Sequence, residues 1–175
     1  DAAAVFSGRA VGRPAAADEF GSARVRELQE TNARLMSELT GIRGMMMGCL
    51  PQRWPVWLAP ELVEMDGPPI GAFPASHPLT SDGRVALVPT PGHVAGHCSV
   101  VVLGDDIAYF LAGDATYSQE NLAAERTDGV TSDVATSRET LRRIKAFAAS
   151  RPTVILPAHD PDGPRRLAER EVFLG

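Results

Sequence analysis

The chain has 175 residues, of which 44% are hydrophobic and 22% charged, and its formal net charge is -5. This length and composition are typical of one folded domain and exclude an intrinsically disordered chain. The negative charge argues against nucleic-acid binding, and no apolar run is long enough to cross a membrane. The two cysteines, Cys49 and Cys98, predict reduced thiols and a cytoplasmic location instead of a disulfide framework.

The first third of the chain predicts one helix followed by an apolar loop. Residues 1–22 are rich in Ala and Gly, with a short strand indicated at Ala10 and Val11. A helix is predicted over residues 23–39, ending at Gly41. Apolar side chains recur there at near-helical spacing, at Val25, Leu28, Leu35 and Leu39.

Residues 45–60 combine three methionines, both tryptophans of the chain and three prolines. Because prolines this close together forbid a regular helix or a central strand, this segment is predicted to be an apolar loop. Two interpretations carry equal weight. The loop packs over the core, or it forms the wall of a substrate pocket, with Met46, Trp54 and Trp57 as the candidate lining residues.

The rest of the chain predicts short strands interleaved with helices. The apolar run 99–103 is typical of a strand covered on both faces, and residues 104–106 turn it into the next strand as a hairpin. A layered α/β or α+β fold is therefore expected. The predicted strands are 85–88, 99–103, 107–111 and 153–156, and the predicted helices are 134–148 and 164–173.

Two of the four histidines stand in one loop, within the run Thr-Pro-Gly-His-Val-Ala-Gly-His at residues 90–97. The proline and the two glycines there exclude a helix that would present His93 and His97 on one face. Asp114 follows the strand 107–111, and His159 follows the strand 153–156. Sites in layered folds collect at strand ends, and mixed imidazole and carboxylate donors are typical metal ligands. His77 is interpreted as a surface loop residue.

These motifs, in this order, resemble those of the metallo-β-lactamase-fold hydrolases. The segment from Asp114 to Asn121 is similar to a stretch of the N-acyl-homoserine lactone lactonases. The resemblance implies metal ligation by His93, Asp114 and His159, with His97 as a supporting neighbour. It implies catalytic roles for Asp114, which bridges two metals, and for Tyr117, which faces the substrate. The implied fold is α+β, an αββα sandwich, here N-terminally truncated, forming a single incomplete domain over residues 1–175.

The His-x-His-x-Asp-His motif that defines the family is absent, since no histidine precedes His77. We expect a C-terminal portion of the fold that begins shortly after that motif. In the complete parent, the resemblance implies two zinc ions and a metal-bridging hydroxide that opens a lactone ring. For this chain we expect weak or absent zinc binding, no activity alone, and a partly uncovered face on strands 99–103 and 107–111.

The expected partner is a small acylated lactone, and a homodimer is left open. Two other functions stay open as well. One is another hydrolase of the same superfamily that acts on a thioester or an ester. The other is a non-catalytic binding domain that keeps the fold and uses the apolar loop of residues 45–57 for contacts.

Overall fold

The computed structural model describes residues 19–41, 50–58, 62–131 and 133–175. The chain divides into two compact units, residues 1–62 and residues 63–175. The strand indicated at residues 10 and 11 lies outside the described residues, as does Met46. The expectation of a single domain over residues 1–175 stays a prediction.

The first unit contains the predicted helix, α1, over Glu19–Thr40. It is longer than the sequence pattern indicated, and it ends where Gly41 donates its backbone N–H to the Ser37 carbonyl. In the apolar loop, Pro51–Arg53 forms one turn of 3-10 helix, and no other regular structure occurs among residues 50–58. Trp57 is 77% exposed, so its indole is not part of a core.

The second unit is built on a mixed sheet with the strand order β1-β2-β3-β4-β5. Neighbouring strands are antiparallel from β1 to β4, and β4 pairs with β5 in parallel. The predicted hairpin of residues 99–111 is confirmed by the antiparallel pairing of β3 with β4. The strands are β1 (His77–Pro78), β2 (Val85–Pro89), β3 (Cys98–Leu103), β4 (Ala108–Gly113) and β5 (Thr153–Pro157).

His77 corrects one prediction, because it lies in a strand and not in a surface loop. It pairs with Leu87 of β2, and its Nδ1 lies 2.9 Å from the carbonyl oxygen of Glu64. A two-residue strand is too short to show the alternation of apolar and polar residues by which strands are recognised in a sequence.

Three helices accompany the sheet: α2 (Gln119–Ala123), α3 (Val134–Ser150) and α4 (Gly163–Glu169). The first residue of α3 is set by Asp133, whose carboxylate accepts the Thr136 N–H. The last helix is shorter than predicted, since Arg170 adopts a left-handed conformation that ends it. No helix among the described residues combines the length and hydrophobicity needed to cross a membrane.

The core lies on one face of the sheet and is centred on three aromatic rings. Phe110 of β4 lies 5.7 Å from Phe73 and 5.6 Å from Phe147 of α3, measured between ring centroids. Offset aromatic packing of this kind contributes more than burial alone. Aliphatic side chains complete the cluster, among them Val88, Val101, Leu122, Leu141, Ile144 and Ile155.

The opposite face of the sheet separates two predictions for β3. The apolar run predicts a strand covered on both faces, but the residues of β3 and β4 alternate between buried and more exposed, which agrees with the expected partly uncovered face on strands 99–103 and 107–111. Four apolar residues on this more exposed side are in register across the sheet, namely Leu87, Val100, Leu111 and Leu156. Of these, Leu111 is 41% exposed. The apolar run therefore reports the residue types of this face and not its coverage.

Strand directions explain where a site forms. Strands β2, β4 and β5 all run the same way, since β3 is antiparallel to both β2 and β4 while β5 is parallel to β4. The loops that follow these three strands therefore meet at one edge of the sheet. These loops contain residues 90–97, 114–118 and 158–162, which include the histidine and aspartate motifs.

Candidate functional site

Asp114 is the centre of the site, because each of its carboxylate oxygens faces a different imidazole. His159 Nε2 lies 3.1 Å from Asp114 Oδ1, and His93 Nε2 lies 3.7 Å from Asp114 Oδ2. The Asp114 side chain is 35% exposed, whereas that of His159 is 56% exposed. The structure thus brings together the three residues that the motifs singled out, at a solvent-accessible edge.

A fourth residue, Asp128, orients His93. Its Oδ2 lies 2.9 Å from His93 Nδ1, and its Oδ1 accepts the backbone N–H groups of Val130 and Thr131. Burial by itself raises the pKa of the Asp128 carboxyl, but the hydrogen bonds from His93 and the two N–H groups outweigh it and lower the pKa below its usual value. Asp128 is therefore an ionised acceptor.

This ionised acceptor decides the tautomer of His93. A carboxylate can only accept, so in the neutral form of the ring Nδ1 carries the proton and Nε2 presents a lone pair. That lone pair faces Asp114 Oδ2, which is also an acceptor. In that form two acceptors face each other across 3.7 Å, a contact that a metal ion between them satisfies, as a proton on Nε2 also would. The chemistry of this donor set fits a metal ion.

The distances between the histidine nitrogens and the Asp114 oxygens also fit a zinc ion. Two ligands of one tetrahedral zinc ion lie about 3.3–3.5 Å apart, given bonds of roughly 2.0–2.1 Å. The separations of 3.1 and 3.7 Å in the His159–Asp114 and His93–Asp114 pairs lie close to this. However, within the described part of the chain no group of three or more His, Cys, Asp and Glu side chains could hold one ion together. The arrangement is two pairs that share one carboxylate.

His97 supports Asp114 as part of a continuous chain of hydrogen bonds. The Asp114 N–H donates to His97 Nε2 (3.1 Å), so the ring proton is on Nδ1, which donates to Thr90 Oγ1 (2.8 Å). Thr90 then donates to Ser99 Oγ (2.8 Å), and Ser99 donates to the Ala112 carbonyl (3.1 Å). The path begins at a backbone donor and ends at a backbone acceptor, so the direction of every bond in it is determined.

Burial lowers the pKa of His97 below its usual value, although the negative charge of Asp114 opposes this shift. The ring is therefore neutral at neutral pH, as its role as an acceptor for the Asp114 N–H requires. Thr90 and Ser99, fully or almost fully buried, complete its surroundings. The sequence motif placed His97 in a supporting position, but it did not indicate the two hydroxyl groups.

Two glycines allow the loops to approach this closely. Gly113 has a positive φ of 56°, and a Cβ there would lie 3.0 Å from His97 Nε2. Gly92, with φ of 144°, packs against α3, where a Cβ would meet Ser137 Cα at 2.6 Å. Thr131 Oγ1 donates to the Gly92 carbonyl, which ties the loop of His93 to the loop that follows Asp128.

Tyr117 lies beside both candidate ligand histidines. Its ring centroid is 4.5 Å from that of His159 and 6.1 Å from that of His93. Partial burial raises the pKa of the Tyr117 hydroxyl, and the negative charges of Asp128 and Asp114 raise it further. The phenol therefore stays protonated at neutral pH and is a hydrogen-bond donor at the site.

Three further residues were predicted from the sequence to line a substrate pocket. Trp54 and Trp57 belong to the first unit, and Met46 is outside the described residues. Asp128, in contrast, was missed from the sequence. Its only local signal is the Asp-Gly pair at 128–129, which indicates a turn and not a partner for a histidine 35 residues earlier.

Comparison with known proteins gives one family match. The model of the metallo-beta-lactamase superfamily matches residues 16–159. Among curated proteins, the N-acyl homoserine lactonase AttM of Agrobacterium fabrum is 25% identical over 93 residues, which are 53% of this chain and 35% of that protein. A probable metallo-hydrolase of Mycobacterium tuberculosis is 42% identical over 66 residues, 36% of this chain and 21% of that protein.

Among solved structures, an N-acyl homoserine lactone hydrolase with the product N-hexanoyl-L-homoserine bound at its catalytic metal center matches with a TM-score of 0.45 and 24% identity. The match covers 51% of this chain and 35% of that one. The chain thus spans about a third or less of the length of the relatives that it matches.

Proposed function

The chain belongs to the metallo-beta-lactamase superfamily, and from this premise we propose that it carries half of a dinuclear metal site that opens N-acyl homoserine lactones by hydrolysis. The observation that carries the proposal is the arrangement around Asp114, with one imidazole at each carboxylate oxygen and a protonated tyrosine beside both rings. The match to a lactonase supports this substrate class.

In this proposal His93 and Asp114 would hold one zinc ion, and Asp114 and His159 would hold the other. Zinc at these positions would supply Lewis acidity and bring the pKa of coordinated water toward neutrality. Asp128 keeps His93 in the tautomer that presents Nε2, and His97 holds the backbone of Asp114 in place. These two residues orient ligands without being ligands.

The reaction is hydrolysis of the ester bond inside the lactone ring. One water adds to the carbonyl carbon, the bond from that carbon to the ring oxygen breaks, and the ring oxygen takes a proton to become a hydroxyl group. Tyr117 donates a hydrogen bond to the carbonyl oxygen while negative charge develops there. The acyl tail would lie on apolar side chains, for which Met46, Trp54 and Trp57 stay the candidates.

Each ion has two ligands from this set, whereas protein zinc sites usually have three or four. We therefore expect residues 1–175 alone to bind zinc weakly and to hydrolyse lactones negligibly. Calorimetric titration of the chain with zinc measures this directly. Tight binding of two ions per chain would contradict the expectation, because the site would then need no further ligands.

The lactonase proposal is tested by ring opening of N-hexanoyl homoserine lactone in the protein at its natural length, loaded with zinc. Tyr117→Phe should lower kcat by about 100-fold or more, since it removes one donor to the developing oxyanion, with KM little changed. Tyr109→Phe is the matched control, because Tyr109 lies on β4 and should keep full activity. An inactive wild-type protein would contradict the proposal.

A second candidate is hydrolysis of another ester or a thioester by the same residues. The match to a probable metallo-hydrolase supports a hydrolase without restricting its substrate to a lactone. A substrate panel of lactones, linear esters and thioesters separates the two by kcat/KM, and faster turnover of a linear ester would favour the second. The cytoplasmic location and the homodimer stay predictions from the sequence.

A further inference from the structure

A buried carboxylate lies directly after His159. The Asp160 side chain is 3% exposed, and both of its oxygens are engaged inside the fold. Oδ1 accepts the Asp162 N–H (3.0 Å). Oδ2 accepts the Gln119 N–H (3.2 Å) and a hydrogen bond from Arg166 Nη1 (2.6 Å). Because these partners occupy both of its oxygens, the Asp160 carboxylate connects the segments that contain them.

Those segments carry the two rings that lie closest together in the site. Gln119 is two residues after Tyr117, and Asp160 follows His159 in the chain. A second bond joins the same parts, since Gln119 Nε2 donates to the Ile155 carbonyl of β5 (2.9 Å). One buried carboxylate thus connects the start of α2 to the loop after β5, across 41 residues of sequence.

Stability alone does not account for a charged pair at this place. The Arg166 side chain is 7% exposed, so both charges have lost most of their water. Arg166 also lies 3.3–3.6 Å from the more exposed carboxylates of Glu120, Asp162 and Glu171. The desolvation of Asp160 and Arg166 offsets much of their attraction, and apolar side chains of similar volume often stabilise a fold equally well. The hydrogen bonds of the pair, however, have fixed directions, and a hydrophobic contact would not supply these.

We propose that Asp160 and Arg166 are positioning residues that hold the Tyr117 ring against His159. Arg166 fixes the Asp160 carboxylate, and the carboxylate fixes the first residue of α2, which in turn sets the distance between the two rings. The catalytic importance of this spacing rests on the proposed function, but the spacing itself does not. Loss of the pair should let the loop of Tyr117 move away while the hydrophobic core remains intact.

The test measures the contact between the two rings by nuclear Overhauser spectroscopy on residues 1–175. The chain has two tyrosines and four histidines, so Tyr109→Phe and His77→Gln simplify the assignment. The variants are Asp160→Asn, Arg166→Met and Arg166→Lys. The matched control is Arg165→Met, the same substitution on the preceding residue, whose ion pairs with Glu169 and Glu171 are on the surface.

The wild-type chain and Arg165→Met should show a Tyr117–His159 cross-peak. Asp160→Asn and Arg166→Met should lose it, and Arg166→Lys should recover part of it because the positive charge returns. Urea unfolding of each variant is the parallel measurement, since a merely stabilising pair would lower the midpoint and leave the cross-peak of the folded protein intact. That last outcome would overturn the inference.

Two further outcomes would also overturn it. One is the absence of the cross-peak in the wild-type chain. The other is complete unfolding of both Asp160→Asn and Arg166→Lys, because the pair would then be required for the fold itself. Failure of the lactonase proposal looks different. In that case the protein at its natural length opens no lactone in any variant, while the ring contact still depends on Asp160 and Arg166.

Discussion

His93 and His97 stand four residues apart in one loop, yet their surroundings differ in kind. His97 has a partner inside the fold at each ring nitrogen, Thr90 at Nδ1 and the Asp114 N–H at Nε2. His93 has such a partner only at Nδ1, and its other nitrogen faces a carboxylate oxygen. A histidine whose two ring nitrogens both have hydrogen-bond partners is thus a supporting residue, whereas one with a free lone pair is a candidate ligand.

The same contrast divides the site into two regions. The support region (Thr90, His97 and Ser99) forms a complete path of hydrogen bonds and has two buried hydroxyl groups. The open edge consists of the side chains that face one another at the solvent-accessible rim, namely His93, Asp114, Tyr117 and His159. Substitutions in the support region should therefore lower the free energy of unfolding, whereas substitutions at the open edge should lower the affinity for ligands.

The largest effect is expected where the loop of both histidines packs on α3. Gly92→Ala should lower the free energy of unfolding by about 3 kcal/mol, since it combines an unfavourable positive φ with a contact to the α3 backbone. Gly96→Ala is the matched control in the same loop, with nothing within 4 Å of its new Cβ, and should stay within about 0.5 kcal/mol of the wild type. Urea unfolding measures both, and equal losses would show that the packing against α3 is not what holds the loop.

An intermediate effect is expected within the support region. Thr90→Val keeps the volume but leaves His97 Nδ1–H and the Ser99 hydroxyl without their shared partner, which should cost about 2 kcal/mol. Thr90→Ser keeps the hydroxyl and should retain most of that free energy. If Val and Ser variants unfold at the same urea concentration, the hydroxyl path does not support the site.

The smallest effect in free energy is expected at Asp128, which orients His93 of the open edge. In Asp128→Asn the Oδ1 atom stays with the two backbone N–H groups, so the amide NH2 faces His93 Nδ1 and favours the wrong tautomer. Zinc affinity should fall by about tenfold or more, equivalent to roughly 1.4 kcal/mol. Calorimetry with zinc on the protein at its natural length measures this, with Asp106→Asn, an exposed acid of the β3–β4 turn, as control. Unchanged zinc affinity would show that Asp128 does not orient His93 as a ligand.

Much of the fold was predictable from local patterns. The helix α1, the hairpin of β3 with β4, and the buried strand β5 follow from periodicity and turn residues, and the structure confirms them. The prediction from the apolar run that β3 is covered on both faces was wrong, because such a run reports residue type and not what packs on it. His77 was wrong because a strand of two residues carries no periodicity.

The candidate site was predictable only in part. His93, Asp114 and His159 each follow a strand, and their loops carry recognisable motifs, so the sequence indicated them together with Tyr117. Asp128 carries no such motif, and its role depends on a contact with a residue far away in the chain. Asp160 directly follows His159 in the sequence, but nothing local indicated that its carboxylate joins α2 to the loop after β5.

By itself the sequence determined which residue types stand at the strand ends, because motifs and turn chemistry are local properties. Only the tertiary structure decided what these residues can do. The common direction of β2, β4 and β5 brings their loops to one edge, and the partner at each histidine nitrogen then determines its tautomer. A proton position depends on hydrogen-bond partners, and for His93 and His97 folding supplies these from other parts of the chain.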